Sequence, residues 1–419
     1  MFWKELTTGI YPWDIHDEGI ETILDNLQNE AGCNAAYMLS IMHHEKRPLW
    51  DNYYPHNPVR KYYQAEDSRA YFKPDPAAYK NSRIKPRTSD RDFLKGTDWL
   101  ELFSKALRKR GMKPGAELSH TLLDKERAVG EFADCVQRDI YGQPLPRIGM
   151  FSGQILCWNN PDAVAFLSAL GADLARYDLE MIQTCIWPFE AGDRAGHNLL
   201  GAFKGGCFCD HCGKAASELG FDWDHIKAKA RYWADALTHR DLAGNEQRLL
   251  LERSMPSDTA ILLECPELYQ WLRMRCQSFA NALGECKKAI HAVNPKIDFR
   301  FNTCMRPAEL FSQDYGLIAP NVDSFRTMDY SEQTGDEAKV MEKGKWVLQI
   351  RRQVGDDVPI IGAIAPRFKA TPDLIRKGIK QVALAGADGL SFGFYDGATM
   401  ERLRAIRQGM QEAEVSLRD

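Results

Sequence analysis

The strongest constraint on the fold of this chain comes from a series of eight short apolar segments. Stretches with helical periodicity separate them. The segments are continuously apolar, which is typical of parallel strands buried on both faces of a sheet. Eight strand–helix units are what an α/β fold of the (β/α)8 type, the TIM barrel, requires, and we predict that fold. The predicted strands are TGIYPW (8–13), AAYMLSI (35–41), GAELSH (115–120), EMIQTCIWPF (180–189), DFRFNTC (298–304), SFRTMDY (324–330), PIIGAIA (359–365) and GLSFGFYD (389–396).

A doubly wound open sheet is the competing α/β architecture. Its dinucleotide-binding forms carry a G-x-G-x-x-G turn directly after the first strand. The stretch GIYPWDIHDEG, which begins at residue 9, contains no such motif. The closed barrel is therefore favoured.

The length of 419 residues fits one barrel with long loops. Two segments exceed what a minimal barrel needs, namely residues 45–95, rich in Tyr, Pro, Asp and Arg, and residues 190–262. They come after the second and fourth strands, at the end of the barrel where active sites lie. We expect a single domain over residues 1–419, with these two loop insertions capping the active-site face.

Composition narrows the classes of partner. The formal net charge of −4 argues against a nucleic-acid partner, because such proteins concentrate basic charge on one surface. No apolar run approaches the roughly 20 residues that cross a bilayer, and the N-terminus shows no secretory signal. Eleven cysteines, an odd number mostly scattered through apolar stretches, favour a reducing cytoplasm. Assembly into a homo-oligomer remains open.

The stretch CFCDHC at 207–212 places three cysteines in six positions. The spacing C-x-C-x-x-C suits a metal clip, a group of free thiols or a redox pair. A structural zinc site takes four ligands. Cys157, in GQILCWNNPDAVAFL, is a candidate for the fourth because it precedes the helix that leads into the fourth strand.

These residues resemble the zinc-bearing β-galactosidases of glycoside hydrolase family 42. The similarity runs over roughly residues 145–225, through CWNNPDAVAFLSALGADLARYD, a strand ending in an acidic residue, and CFCDHC. It implies a structural zinc and a carboxylate mechanism. It also implies an acid/base glutamate at Glu190 and four zinc ligands, Cys157, Cys207, Cys209 and Cys212.

Three departures separate this chain from that family. The family's Asn-Glu pair reads Phe189-Glu190 here, and the gap from Glu190 to Cys207 is longer. The strand that carries the family's nucleophilic glutamate reads PIIGAIAPRFKATP, which has no carboxylate. The resemblance therefore does not extend to the family's retaining mechanism, and both the retaining and the inverting outcome stay open.

Polar residues at the ends of the predicted strands converge on one pocket if the barrel closes. Glycoside hydrolysis needs one protonated and one ionised carboxyl group. Glu190 is the candidate acid, because the apolar residues of WPFE would raise its pKa, and Asp329 and Asp396 are its candidate partners. The candidates for substrate binding are Asp14, His16, His43, His44, Glu117, His120, Trp187, Tyr330, Glu332 and Arg367.

The predicted function is hydrolysis of a small glycoside, with two alternatives. Barrel isomerases, epimerases and lyases bind a divalent metal through strand-end Asp, Glu and His, and Asp14, His16, Glu117 and His120 could form such a site. A non-catalytic barrel that binds carbohydrate is the third interpretation, because the seventh strand has no carboxylate.

Overall fold

The computed structural model describes residues 3–42, 55–60, 63, 66–120, 122–145, 154–186, 188–189, 199–238, 256–303, 308–393 and 395–417. Eight parallel strands form a closed ring, in which the first strand pairs with both the second and the last. Helices surround the ring. The predicted (β/α)8 barrel is confirmed.

All eight predicted strands are present. In chain order the strands are β1 (Glu5–Ile10), β2 (Ala35–Met42), β3 (Arg69–Ala70), β4 (Arg87–Thr88), β5 (Lys113–His120), β6 (Met181–Ile186), β7 (Asp298–Asn302), β8 (Ser324–Arg326), β9 (Ile360–Ile364) and β10 (Gly389–Phe392). The barrel consists of β1, β2 and β5 to β10. The two short strands β3 and β4 lie in the first insertion, where β3 pairs antiparallel with the end of β2.

The strand boundaries differ from the prediction at the C-terminal ends. The first strand was expected over 8–13, but Pro12 and Trp13 already belong to a helix. Proline suits the first helical position, because its missing N–H has no partner there. The expected strands at 324–330 and 389–396 end at Arg326 and Phe392. In these two cases the rest of the predicted segment belongs to the rim beyond the strand.

The helices fill the connections between strands. They are α1 (Pro12–Glu18), α2 (Ile20–Asp25), α3 (Trp99–Lys109), α4 (Lys125–Val129), α5 (Pro161–Leu174), α6 (Leu199–Gly205), α7 (Asp210–Glu218), α8 (Trp223–Thr238), α9 (Asp258–Glu264), α10 (Glu267–Val293), α11 (Tyr315–Ile318), α12 (Glu337–Met341), α13 (Gly344–Val354), α14 (Pro372–Leu384) and α15 (Met400–Ser416). Among the described helices, none combines the length and apolar character needed to span a bilayer.

Local sequence explains where the main helices begin. Asn160 and Thr371 accept hydrogen bonds from backbone N–H groups in the first turns of α5 and α14, and each is followed by proline. An oxygen-bearing cap before proline is a strong start signal for a helix. These helices pack on the outside of the barrel and fix where the next strand enters.

A buried ionic cluster closes the N-terminal end of the barrel. Arg300 is only 2% exposed. Its guanidinium donates to Glu5 at 2.6 Å and to Asp298 at 2.6 Å, and its Nε donates to Ser324 at 3.0 Å. Because Arg300 on β7 pairs with carboxylates and its partners Glu5 and Ser324 come from other strands, this cluster ties β1, β7 and β8 together.

Candidate active site

Glu117 lies in the interior of the barrel, on β5. It is buried, although 7% of its surface stays exposed. Gln183, its register partner on β6, donates a hydrogen bond to its Oε2. Burial raises the pKa of Glu117 to about 7, although Arg326 and hydrogen bonds from Gln183 and Asn302 lower it. The carboxyl group can therefore hold a proton near neutrality.

Polar residues of five other barrel strands lie around Glu117 and Arg326, and the sequence analysis missed them because it searched beyond these positions, at the rim. Each comes from a different barrel strand. The only signal in the sequence was a polar or charged residue within a short apolar run. These residues are Tyr37 on β2, Gln183 on β6, Asn302 on β7, Arg326 on β8 and Ser391 on β10.

Arg326 crosses the interior of the barrel from β8 toward β10 and is 1% exposed. Its Nε donates to the Ser391 hydroxyl at 2.8 Å, and its Nη1 donates to the Tyr330 hydroxyl at 2.9 Å. Tyr330, a predicted substrate-binding residue, is half-buried where β8 meets the rim. The two side chains therefore extend the polar interior from Glu117 toward the mouth.

Asp14 and Asp396 interact at the rim beyond β1 and β10. Both are buried, and Asp14 accepts a hydrogen bond from the Tyr11 backbone N–H at 3.1 Å. Burial, followed by the negative charges of Asp396 and Glu18, raises the pKa of Asp14 well above its usual value. Two adjacent carboxyl groups of this kind favour a state with one proton and one charge.

Asp329 and Glu332 meet a lysine. The ammonium group of Lys343 donates to Glu332 at 3.0 Å and lies 3.3 Å from Asp329 Oδ1. Glu332 is completely buried and also accepts from the Ala365 backbone N–H, while Asp329 accepts from the Ser331 backbone N–H. This arrangement joins the turn after β8 to the end of β9, and each of the two carboxylates has hydrogen-bond partners within the protein.

Two further predicted residues also have protein partners. Arg367 is buried, donates from Nε to Gln333 at 2.9 Å, and lies over the ring of Phe368. His16 contacts Asp17 at 2.7 Å through Nδ1, and its ring packs edge-on against Phe93. These contacts orient both side chains within the rim.

Several predicted residues lie outside the described structure. They are His43, His44, Trp187 and Glu190, while His120 is described only as the last backbone position of β5. Their roles stay predictions.

The described first insertion is anchored to α1 by packing and charge. Trp13 is buried between Tyr11 and Tyr63, with ring centroids 4.5 Å and 4.2 Å away. Arg60 donates to both carboxylate oxygens of Asp17, through Nη2 at 2.8 Å and through Nε. These aromatic side chains therefore contribute to packing the insertion onto the rim.

The four predicted metal ligands form one buried cluster. The sulfur atoms of Cys157, Cys207, Cys209 and Cys212 all lie within 4.8 Å of one another, and the sulfur of Cys157 is 3.5 Å from Cys209 and 3.7 Å from Cys212. Tetrahedral zinc with bonds of about 2.3 Å would place its sulfur ligands about 3.8 Å apart. The four side chains therefore fit a metal ion.

Backbone and amide donors support this cluster. The side-chain amide of Asn159 donates to the Cys212 sulfur at 3.3 Å, and the backbone N–H of Arg138 donates to Cys207 at 3.5 Å. Hydrogen bonds to ligand sulfurs are the usual outer contacts of thiolate metal sites. The cluster joins the segment before α5 to the segment that enters α7.

The alternative ligand set for a divalent metal is not assembled by the described side chains. Asp14, His16 and Glu117 do not converge within reach of one ion. Apart from the four cysteines, Asp134, Cys135 and Asp162 form the other described group with suitable spacing, and Arg83 already pairs with both of its carboxylates. The described part of the chain therefore provides no strand-end metal site for an isomerase or lyase.

The structure is similar to solved glycosidases. One match is an α-L-fucosidase isoenzyme 2 from Paenibacillus thiaminolyticus, which is 14% identical; the match covers 99% of this chain and 50% of that chain, with a TM-score of 0.54. A catalytic mutant of a GH42 β-galactosidase from G. stearothermophilus is 12% identical, with 99% of this chain and 57% of that chain covered and a TM-score of 0.57. A β-galactosidase from Bacillus circulans sp. alkalophilus is 14% identical, with 98% of this chain and 57% of that chain covered and a TM-score of 0.55.

These similarities establish the class of fold, a glycoside hydrolase-like (β/α)8 barrel. The chain spans between half and three fifths of the length of these three structures. No protein-family model matches the sequence, and no curated protein matches it.

Proposed function

We propose that the chain hydrolyses a small glycoside by carboxylate acid/base catalysis. The observation that carries the proposal is Glu117, a carboxyl group in the barrel interior whose pKa is raised by burial to about 7. Glycosidases need a carboxylic acid that keeps its proton near neutrality and donates it to the leaving oxygen. The barrel that this chain shares with solved glycosidases supports the same reaction class.

The proposed roles follow from the surroundings of each carboxyl group. Glu117 is the described candidate for the proton donor, and Glu190 is the candidate implied by the resemblance to family 42. Asp396 is the proposed ionised partner, because its negative charge helps Asp14 to retain a proton. Asp329 is a weaker candidate, since its carboxylate is engaged by Lys343.

The two candidate acids can be separated with substrates that differ in their leaving group. A dinitrophenyl glycoside releases dinitrophenolate, which departs without protonation, whereas the methoxy group of a methyl glycoside has to be protonated as the glycosidic bond breaks. If Glu117 is the acid, Glu117→Gln loses at least about 100-fold in kcat/KM on methyl glycosides and much less on dinitrophenyl glycosides. The same pattern in Glu190→Gln would move the role to Glu190.

The pH profile gives an independent measurement. In the wild type, kcat/KM should fall as pH rises through about 7, because Glu117 loses its proton. That decline should be absent from Glu117→Gln. If the barrel cleaves neither class of glycoside over this pH range, the proposal of a glycosidase is wrong, and binding of carbohydrate without turnover becomes the better interpretation.

We further propose that the cysteine cluster holds one structural zinc ion. Four buried thiol groups at tetrahedral spacing suit zinc better than the hard cations, which prefer oxygen. The bound ion would fix the loop after β6, which leads away from Glu190. Elemental analysis should find about one zinc per chain, and activity should survive mild chelation.

The proposed location is the cytoplasm. The ten described cysteines are all free thiols, and reduced thiols persist in that compartment.

A further inference from the structure

We propose that Arg326 binds a carboxylate group of the substrate, so that the substrate is an acidic sugar such as a uronic acid or its glycoside. The inference rests on the proposed function for the carbohydrate but not for the hydrolytic step. It assigns the substrate class from a buried positive charge that has no ion-pair partner among the described residues.

The described hydrogen-bond partners of Arg326 are neutral. Its Nε and Nη1 donate to the hydroxyl groups of Ser391 and Tyr330. Within the described chain, no carboxylate lies within ion-pairing distance, and Nη2 is buried without a hydrogen-bond partner. A buried cation normally has an ionised partner, because moving an unpaired charge out of water is costly.

Arg300 shows what a structural arginine looks like in the same barrel. It lies at the closed N-terminal end and is nearly as buried as Arg326. Its guanidinium is paired with two carboxylates, Glu5 and Asp298, with contacts of 2.6 Å to each. The two arginines therefore differ mainly in their counter-ions, and the unbalanced one lies nearer the mouth.

A gap in side-chain packing lies beside the free nitrogen of Arg326. Gly393 follows β10 at the mouth, and a Cβ atom at this position would be 3.6 Å from Nη2. The same Cβ would be 3.4 Å from the ring of Tyr330, which is half-buried at the rim. As it stands the space at Gly393 holds one methyl group, and a shift of the Tyr330 side chain would enlarge it and uncover Nη2.

The charge balance favours a single negative charge on the ligand. Arg326 supplies one positive charge, and Glu117, whose pKa it lowers, adds a negative charge when it is ionised. With Glu117 protonated, a ligand carboxylate would balance Arg326, whereas a phosphate dianion would leave one negative charge in excess. Planar bidentate contact with carboxylate also suits the guanidinium group.

The test is equilibrium binding of free sugars by calorimetry, without turnover. Galacturonate or glucuronate should bind the full chain about 30-fold more tightly than galactose or glucose, which is the gain expected from one buried charge-assisted contact. Arg326→Met should reduce this preference to about threefold or less. Retention of the full preference in Arg326→Met would overturn the proposal.

Gly393→Ala is a second variant that keeps the charge. The added methyl group makes only ordinary contacts, so the fold should be retained. We expect it to weaken uronate binding about tenfold and to leave neutral-sugar binding nearly unchanged, because the methyl group occupies the space beside Nη2. Equal loss for both sugars, or no loss for uronate, would contradict the assignment of this gap.

Further ligands separate the remaining outcomes. Tighter binding of galactose 6-phosphate than of galacturonate would assign the site to phosphate and overturn the carboxylate. Absence of any uronate binding at about 10 mM, or tighter binding of the neutral sugar, would overturn the proposal as well. A uronate preference that depends on Arg326, in a protein that cleaves no glycoside, would uphold this inference while the proposed hydrolysis fails.

Discussion

Arg300 and Arg326 should respond in opposite ways to the same substitution. Methionine is about as long as arginine and carries no charge, so Arg300→Met and Arg326→Met each remove one buried guanidinium. Removing Arg300 leaves Glu5 and Asp298 without their cation, with side chains that are 13% and 28% exposed. Breaking a buried ion pair in this way costs about 3–5 kcal/mol. Because Asp298 is partly exposed, we expect Arg300→Met to lower the free energy of unfolding by about 3 kcal/mol.

Removing Arg326 leaves no ionised group that directly contacts the lost charge. The variant loses two hydrogen bonds to hydroxyl groups, each worth about 1–2 kcal/mol. It also no longer buries an unbalanced cation, a penalty of several kcal/mol. These effects nearly cancel, so the free energy of unfolding should change by less than about 1 kcal/mol or increase.

Equilibrium unfolding in urea, followed by tryptophan fluorescence, measures both variants under the same conditions. The expected difference between them is about 2–3 kcal/mol in favour of the Arg326 variant. A loss of more than about 2 kcal/mol in Arg326→Met would show that this arginine stabilises the fold as Arg300 does. In that case the reasoning from its unbalanced charge would be refuted.

Three further predictions concern stability and metal content. Asp14→Asn should stabilise the protein by an amount that grows as pH rises above about 4 and levels off above the native pKa of Asp14, measured by urea unfolding; because this pKa is raised, the wild type loses stability over that range. Cys157→Ala should lose most of the bound zinc by elemental analysis, whereas Cys286→Ala, a buried cysteine outside the cluster, should retain it. Gly378→Ala should cost about 1–3 kcal/mol, because its Cβ would lie 2.1 Å from Glu332 Oε1; an unchanged unfolding midpoint would show that Glu332 is free to move.

The barrel itself could be predicted from the sequence because the hydrophobic effect acts along the whole of each strand. Segments such as PIIGAIA are buried on both faces, one against the barrel interior and one against helices, and this produces a continuous apolar run. The ends of the strands were harder to predict, because the apolar residues continue past the strand into a buried helix, as at Trp13. Hydropathy reports burial and does not distinguish the two conformations.

The interior polar residues could not be predicted in the same way. Arg300 and Arg326 both appear in the sequence as single charges in apolar strands. Which of them is neutralised depends on residues far along the chain, since Glu5 lies 295 positions from Arg300. The contact between Lys343 and Asp329 could not be predicted for the same reason, because it depends on how the chain between the two residues folds. The position of a carboxylate at a strand end therefore did not show whether the carboxylate has a cationic partner.

Glu117 and Arg326 also connect substrate binding with proton donation. The positive charge of Arg326 lowers the pKa of Glu117, so a carboxylate bound to Arg326 would offset that charge and raise the pKa again. On the proposed mechanism the bound enzyme would then keep its catalytic proton to higher pH than the free enzyme. For a uronide substrate, the alkaline decline of kcat should therefore lie at higher pH than the decline of kcat/KM, which starts from about 7.

A neutral glycoside provides the control for this coupling, because it brings no charge to Arg326 and should not produce the same separation between the two profiles. Arg326→Met should abolish the separation for the uronide as well, since no cation remains to be offset. If the decline of kcat for the uronide coincides with that of kcat/KM, or lies at lower pH, then the two side chains are not coupled through a bound carboxylate. The acid would have to be placed at a residue beyond the influence of Arg326, and Glu190 would be the first to examine.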